Sequence, residues 1–227
     1  MIALFSDYVT IGDIADVKGG KRLPRGMSVQ DEPTAHPYIR VVDFTDDGLD
    51  RTNIKYITDS TYDKIKRYTI SSEDIYISIA GTIGRVGIVP KDLSGANLTE
   101  NAAKISNIDK SYDRQFLVYY LRSPQGQAEI FSKIVGTSQP KLALFRIKEI
   151  RVPKVHLPTQ RKIAAILSGY DDLIENNTRR IKNLEEMAQL IYREWFVKFR
   201  FPGHEKVRMV DSELGPIPEG WEVKRLS

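Results

Sequence analysis

Between about Thr159 and Arg200 the sequence holds no proline and a single glycine, Gly169, and its apolar residues recur in alternating steps of four and three. Counting from Ile163, the series is Ile163, Leu167, Tyr170, Ile174, Asn177, Ile181, Leu184, Ala188, Ile191 and Trp195. Nine of these ten are apolar or aromatic, sustained over more than four heptads, which is the pattern of a coiled-coil seam. At about 1.5 Å per residue such a helix is roughly 60 Å long, further than a small domain can cover. Much of the seam therefore needs a second helix, from another chain or from a second half not present in this one. Pro202-Gly203 is the expected stop. Asn177 is the polar member. It reads either as a hydrogen bond that sets register and orientation across the pair, or as a tolerated, part-exposed Asn where the seam widens.

The rest of the 227 residues suffices for one domain of ordinary size. Residues 1–157 mix short apolar runs with turn residues. Tyr38–Phe44, Ile75–Ile79, Val86–Val89, Ala103–Ile108 and Glu149–Val152 read as strands. Asp113–Leu121 and Gln125–Val135 have helical spacing and are separated by Ser123-Pro124, which should break the helix. Strands and helices interleave irregularly, so the expected class is α+β rather than a doubly wound sheet. No repeat or low-complexity tract is visible. After the long helix, the prolines and glycines of Asp211–Gly220 read as linker, and Trp221, Val223 and Leu226 as the opening of a strand.

Several chemistries are excluded or disfavoured. There is no cysteine, hence no disulfide, thiolate metal site or cysteine nucleophile. The N-terminus lacks signal-peptide features, and no apolar run approaches the length of a membrane span; the expectation is a cytoplasmic chain without a membrane partner. His36, His156 and His204 lie far apart without metal-ligand spacing. No Walker A motif, adenine-methyltransferase motif or nuclease carboxylate set occurs. Gly81-Thr-Ile-Gly-Arg-Val-Gly87 suggests a phosphate loop but lies between two strand-like runs, which favours a tight hairpin. Glu73-Asp74 reads as turn chemistry. No catalytic residue, metal or resident cofactor is expected.

What is present is local basicity. Net charge is only +4, but Lys18, Lys21, Arg22 and Arg25 occur without an acid between Lys18 and Gln30, and Lys133–Lys148 is likewise acid-free. Gly19–Gly26 reads as a flexible basic loop that contacts DNA phosphates or guanine, or equally as a solvated loop. Gly136-Thr-Ser-Gln-Pro-Lys-Leu142, between an expected helix and strand, offers hydroxyls, a Gln able to read adenine and a Lys for phosphate. It also fits a helix C-cap turn with Gly136 left-handed, and both readings hold together. Candidate DNA contacts are Lys18, Lys21, Arg22, Arg25, Arg85, Thr137, Ser138, Gln139 and Lys141.

These segments in this order resemble the specificity subunit of Type I restriction–modification systems. The resemblance is carried by Ile11–Pro24, Pro37–Phe44, Asp74–Val89, Val135–Pro140 and, most specifically, by Val152-Pro-Lys-Val-His-Leu-Pro-Thr-Gln-Arg-Lys-Ile-Ala-Ala-Ile-Leu-Ser168 running into the heptads; Gly215–Trp221 resembles the family's junction into a second recognition domain. It implies a target recognition domain over 1–157, a long conserved spacer and dimerisation helix over 158–201, and a linker with the start of a strand over 202–227. It also implies a non-catalytic reader of half a split DNA site. Methyltransferase subunits would bring S-adenosylmethionine for adenine methylation, and a restriction/translocase subunit would bring ATP and Mg2+. A typical member has two recognition domains and two antiparallel helices, whereas this sequence has one of each. Two copies pairing head-to-tail would restore the arrangement, so a homodimer on an inverted-repeat site is expected. The Glu222–Ser227 tail, which could run into a stretch like Asp7–Ile11, packs on the partner's head or is a stump of truncation. The competing readings are a stand-alone, repressor-like dimer without a methyltransferase, a catalytic fragment and a coiled-coil scaffold.

Overall fold

The run Ile75-Tyr76-Ile77-Ser78 is buried at every position, and this strand divides the interior of the head. The computed structural model describes residues 7–46, 48–136 and 140–224. The chain forms two compact units, Met1–Leu167 and Ser168–Ser227.

In the first unit the order is β1 (Tyr8–Thr10), α1 (Ile11–Ile14), β2 (Asp16–Gly19), β3 (Pro37–Ile39), β4 (Lys55–Tyr56), α2 (Asp59–Ile65), β5 (Ile75–Ser78), β6 (Val86–Ile88), β7 (Asn97–Leu98) and β8 (Ala102–Ser106). Then follow α3 (Arg114–Arg122), α4 (Pro124–Ser132), α5 (Leu144–Lys148), β9 (Arg151–Pro153) and the start of α6 (Leu157–Tyr192). The antiparallel sheet β2-β8-β5-β6 is central, beside a mixed sheet β4-β3-β7 and a β1-β9 pair. Strand side chains alternate between faces. Thus Ile75 and Ile77, with Ala103 and Ile105 of β8, enter one core with Leu117, Leu121, Ile130 and Ile147, while Tyr76 and Ala102 enter a second with Ile39, Phe44 and Leu98. A strand covered on both faces reads as a continuous apolar run, and this one does. The α+β expectation holds.

Ser123 ends α3, and its side chain caps α4 by accepting from the Gly126 N–H, with Pro124 opening the new helix. The Gly81–Gly87 segment is a β5–β6 hairpin, with Gly81 and Gly84 at φ +74° and +91°, values glycine adopts without strain.

Three local expectations fail for identifiable reasons. The strand expected over Tyr38–Phe44 stops at Ile39 and turns into a 3-10 helix, Val41–Asp43, because the Asp43 carboxylate accepts from the Arg40 N–H and pairs with its guanidinium, both at 2.7 Å. Gly136 is left-handed (φ +100°), but α4 already ends at Ser132 with Lys133 as its cap. Gly136 instead follows Val135, which bridges to Lys141, and α5 rather than a strand comes next. The Gly19–Gly26 loop is not free: the Gly20 N–H donates to the Ala102 carbonyl at 2.9 Å and the Lys21 N–H to the Leu98 carbonyl at 2.8 Å. A Cβ on Gly20 would sit 2.0 Å from the Thr99 carbonyl oxygen, so only glycine lets the chain cross there.

The start of α6 is fastened to the first unit by Gln160, which is 0 % exposed. Its Oε1 accepts from the Asp113 N–H at 2.8 Å, and its Nε2 donates to the Ser111 and Val155 carbonyls at 2.9 and 2.7 Å. One side chain satisfies three backbone groups that burial would otherwise strand. That gives a physical reason for glutamine in the Leu-Pro-Thr-Gln-Arg-Lys run.

In the second unit α6 continues to Tyr192 and then widens into a π-helical turn, Arg193–Val197. The stretch expected as linker forms a hairpin of β10 (Met209–Ser212) and β11 (Gly215–Pro218). The Trp221 ring lies 5.5, 5.6 and 5.7 Å from those of Phe196, Phe199 and Phe201. Residues 221–224 are not a strand; Leu226, in the expected strand opening, lies outside the described residues.

Candidate nucleic-acid interface

The basic residues of the head fall into separate environments. Lys18 on β2 lies opposite Lys104 on β8. With Arg67, Tyr68, Thr69, Leu98 and Leu144 they line a cleft of ≈330 Å3. Lys21, two residues beyond β2, places its ammonium 5.6 Å from the Tyr68 ring centroid, and its carbonyl accepts from Tyr38 Oη at 2.9 Å. Lys21 thus stands over Tyr68, and Lys18, Arg67 and Lys104 line the same cleft as that tyrosine. Lys104 is committed to the buried Asp74 at 3.1 Å and Lys18 has an exposed partner, Asp16, at 3.7 Å. Arg67 forms no ion pair among the described residues. The expectation that Glu73-Asp74 is turn chemistry agrees with Asp74 Oδ2 accepting from the Ser71 N–H at 2.9 Å.

Arg22 is exposed, and its Nε is held by Glu100 at 2.8 Å. Burial alone would raise the Glu100 carboxyl, but the Arg22 hydrogen bond, with help from Thr99, holds it below its ordinary value. Arg25 is exposed on the turn closed by the Met27 N–H to the Pro24 carbonyl. Arg85 lies elsewhere, donating to the Phe44 carbonyl and facing Asp46 at 3.4 Å; it joins two parts of the head. Lys141 is exposed at the base of its loop, three residues before Leu144 of the cleft. Thr137, Ser138 and Gln139 lie outside the described residues. Arg67, Lys104 and Leu144 were not singled out in the sequence. The Lys66-Arg67-Tyr68 triplet was the available signal, a basic pair beside an aromatic residue.

The helix seam is bare over most of its length. Tyr170, Ile174, Ile181 and Leu184 are 62, 63, 57 and 63 % exposed, and Asn177 and Ala188 are exposed between and beyond them. Leu167 and Ile191 are 37 and 46 % exposed, and Ile163, beside the buried Ala164, is the most covered of the ten. Trp195 lies inside the π-turn, off the 3.6-residue register that carries the other nine. Ile166, Leu173 and Met187, each one position before a seam residue, are also exposed and widen the stripe on either side of the central heptad, where Arg180 takes the equivalent place. The other side carries ion pairs such as Arg179–Glu175 at 2.8 Å. Among the described residues no helix is long and apolar enough to cross a membrane, and no cluster of three potential metal ligands occurs.

The family model for the Type I restriction modification DNA specificity domain matches residues 6–186. The chain belongs to that family. It is 32 % identical over 153 residues to the Type I restriction enzyme MjaIX specificity subunit of Methanocaldococcus jannaschii, covering 67 % of this chain and 34 % of that one. The MjaVIII specificity subunit of the same organism is 27 % identical over 221 residues, 97 % of this chain and 48 % of the relative. The chain thus spans less than half the length of these curated relatives. Among solved structures, a Type I S subunit from M. genitalium superposes with a TM-score of 0.60 at 19 % identity, over 87 % of this chain and 47 % of that one. The HsdS subunit of Thermoanaerobacter tengcongensis gives 0.53 at 20 % identity, over 86 % and 46 %. At such identities the likeness is one of fold.

Proposed function

We propose that this specificity-family chain works as a non-catalytic DNA reader that pairs through α6 with a second copy of itself. The bare seam carries the proposal: an apolar stripe of this length in water favours association strongly, and its spacing suits another helix. Antiparallel pairing on a two-fold axis would bring two heads into one complex, each reading one half of a bipartite, inverted-repeat site. Lys18, Lys21, Arg22 and Arg67 would supply phosphate contacts, with Arg25 and the 137–141 loop as candidates for base reading. Methyltransferase subunits would dock on the pair in the cytoplasm and methylate adenine using S-adenosylmethionine. Where a restriction/translocase subunit joins, it would bring ATP and Mg2+.

Methylome sequencing of cells expressing the chain with a cognate methyltransferase tests this directly. The expected result is adenine methylation within one split, symmetric motif. Methylation at an asymmetric motif would refute the symmetric pair, and its absence despite a stable complex on DNA would refute the methyltransferase role.

A further inference from the structure

Two adjacent apolar side chains stand in solvent at the start of α5, one of them on the wall of the cleft lined by Lys18, Arg67 and Lys104. Phe145 and Leu144, at the start of α5, are 60 and 37 % exposed, while Leu142, Ile147 and Ile150 around them in sequence are 0 % exposed. The short helix is thus firmly seated by its neighbours and still leaves these two outside. Leu144 lies close over β2, where a Cβ on Gly19 would meet its Cδ1 at 3.3 Å. It forms the apolar wall of the cleft lined by Lys18, Arg67 and Lys104. The Phe145 ring has the Arg146 guanidinium 5.1 Å from its centroid. Arg146 itself is paired with Glu149 at 3.0 Å, whereas Lys141 and Lys148 have no ion pair among the described residues.

Single exposed apolar residues on a surface need no explanation. An exposed ring and a leucine framed by cations are different, because the frame selects the partner. Protein-binding patches are depleted in lysine at their centres, whereas nucleic acid supplies phosphates for the cations and base faces for the ring. Apolar wedges between base steps are a known way to unstack and bend a duplex. We propose that Leu144 and Phe145 form such a wedge. The ring enters one base step of the bound duplex, while Arg67 and Lys148 neutralise flanking phosphates. This rests on the head being a DNA reader, and it adds a source of selectivity: the step beneath the wedge should be an easily opened pyrimidine–purine step.

The test uses the full chain and duplexes it recovers from a randomised pool, with 2-aminopurine substituted at each adenine of the recovered sequence in turn. The expected result is a fluorescence rise at one step, lost in Phe145→Ala together with a ten- to hundredfold weaker affinity, and partly restored in Phe145→Leu. Thermal unfolding of Phe145→Ala should match the parent, because the ring is mostly in solvent. Uniformly stacked bases in the parent complex, or a Phe145→Ala variant that binds and unstacks like the parent, would overturn the wedge while leaving the DNA reading intact. Loss of methyltransferase capture with DNA binding unchanged would reassign the patch to a protein partner. Recovery of no duplex would overturn the DNA reading itself.

Discussion

Leu184→Ala isolates the contribution of one seam position to self-association. The side chain is 63 % exposed in the single chain. Full burial of a leucine contributes about 1.5–3 kcal/mol, so covering this remainder in a helix pair contributes about 1–2 kcal/mol. A two-fold pair contains the residue twice, and the variant should lose about 2–4 kcal/mol of association free energy, weakening the dimer by about thirty- to a thousandfold. Alanine favours helix at least as well as leucine, so the single chain should keep its stability. Sedimentation equilibrium over a range of concentrations reads the dissociation constant directly. Arg179→Ala, on the charged face, serves as the control and should change it little, since exposed ion pairs contribute less than about 1 kcal/mol. An unaltered constant for Leu184→Ala would show that the seam is not the contact. A parent that is monomeric at micromolar concentration would refute the pairing outright.

Four further outcomes follow from particular contacts. Gln160→Leu strands the Asp113 N–H and two carbonyls and should lower stability by about 2–4 kcal/mol in denaturant titration; a loss under 1 kcal/mol would mean water replaces the clamp. Gly169→Ala has open space for the new methyl and should stabilise the helix by about 1 kcal/mol; weaker dimerisation in that variant would instead place a partner backbone against Gly169. Burial pushes both Tyr76 and Tyr120 up to about 12. Their stabilising contribution is complete below the unfolded value near 10 and lost as pH rises towards 12, so ultraviolet titration should show late phenolates, Tyr76 and Tyr120 the last among them, that ionise with unfolding, and early ionisation of all tyrosines without unfolding would contradict the packing. The Arg22→Glu charge reversal should weaken binding to all duplexes alike and flatten its salt dependence; a sequence-selective loss would assign Arg22 to base reading.

The heptads legible in the sequence from Leu167 to Ile191 needed no tertiary information, because a 3.6-residue period and an apolar stripe are local properties. The same holds for the Ser123-Pro124 break and for the β5–β6 hairpin, where capping and glycine chemistry act within a few residues. The family resemblance was likewise carried by short segments in order. Tertiary structure alone decided what depends on groups distant in the chain. Arg85 carries the same charge as Arg67, yet it is tied to Phe44 and Asp46 while Arg67 borders an open cleft with Lys18 and Lys104. The Gly19–Gly26 loop read as flexible because its anchors, Leu98 and Ala102, lie some eighty residues on. The tail reads as linker because its prolines and glycines hide a hairpin, and the rings that Trp221 meets after it, Phe196 to Phe201, lie some twenty residues earlier. A basic residue declares its charge in sequence, but whether that charge is free to meet a phosphate is set by what the fold places beside it.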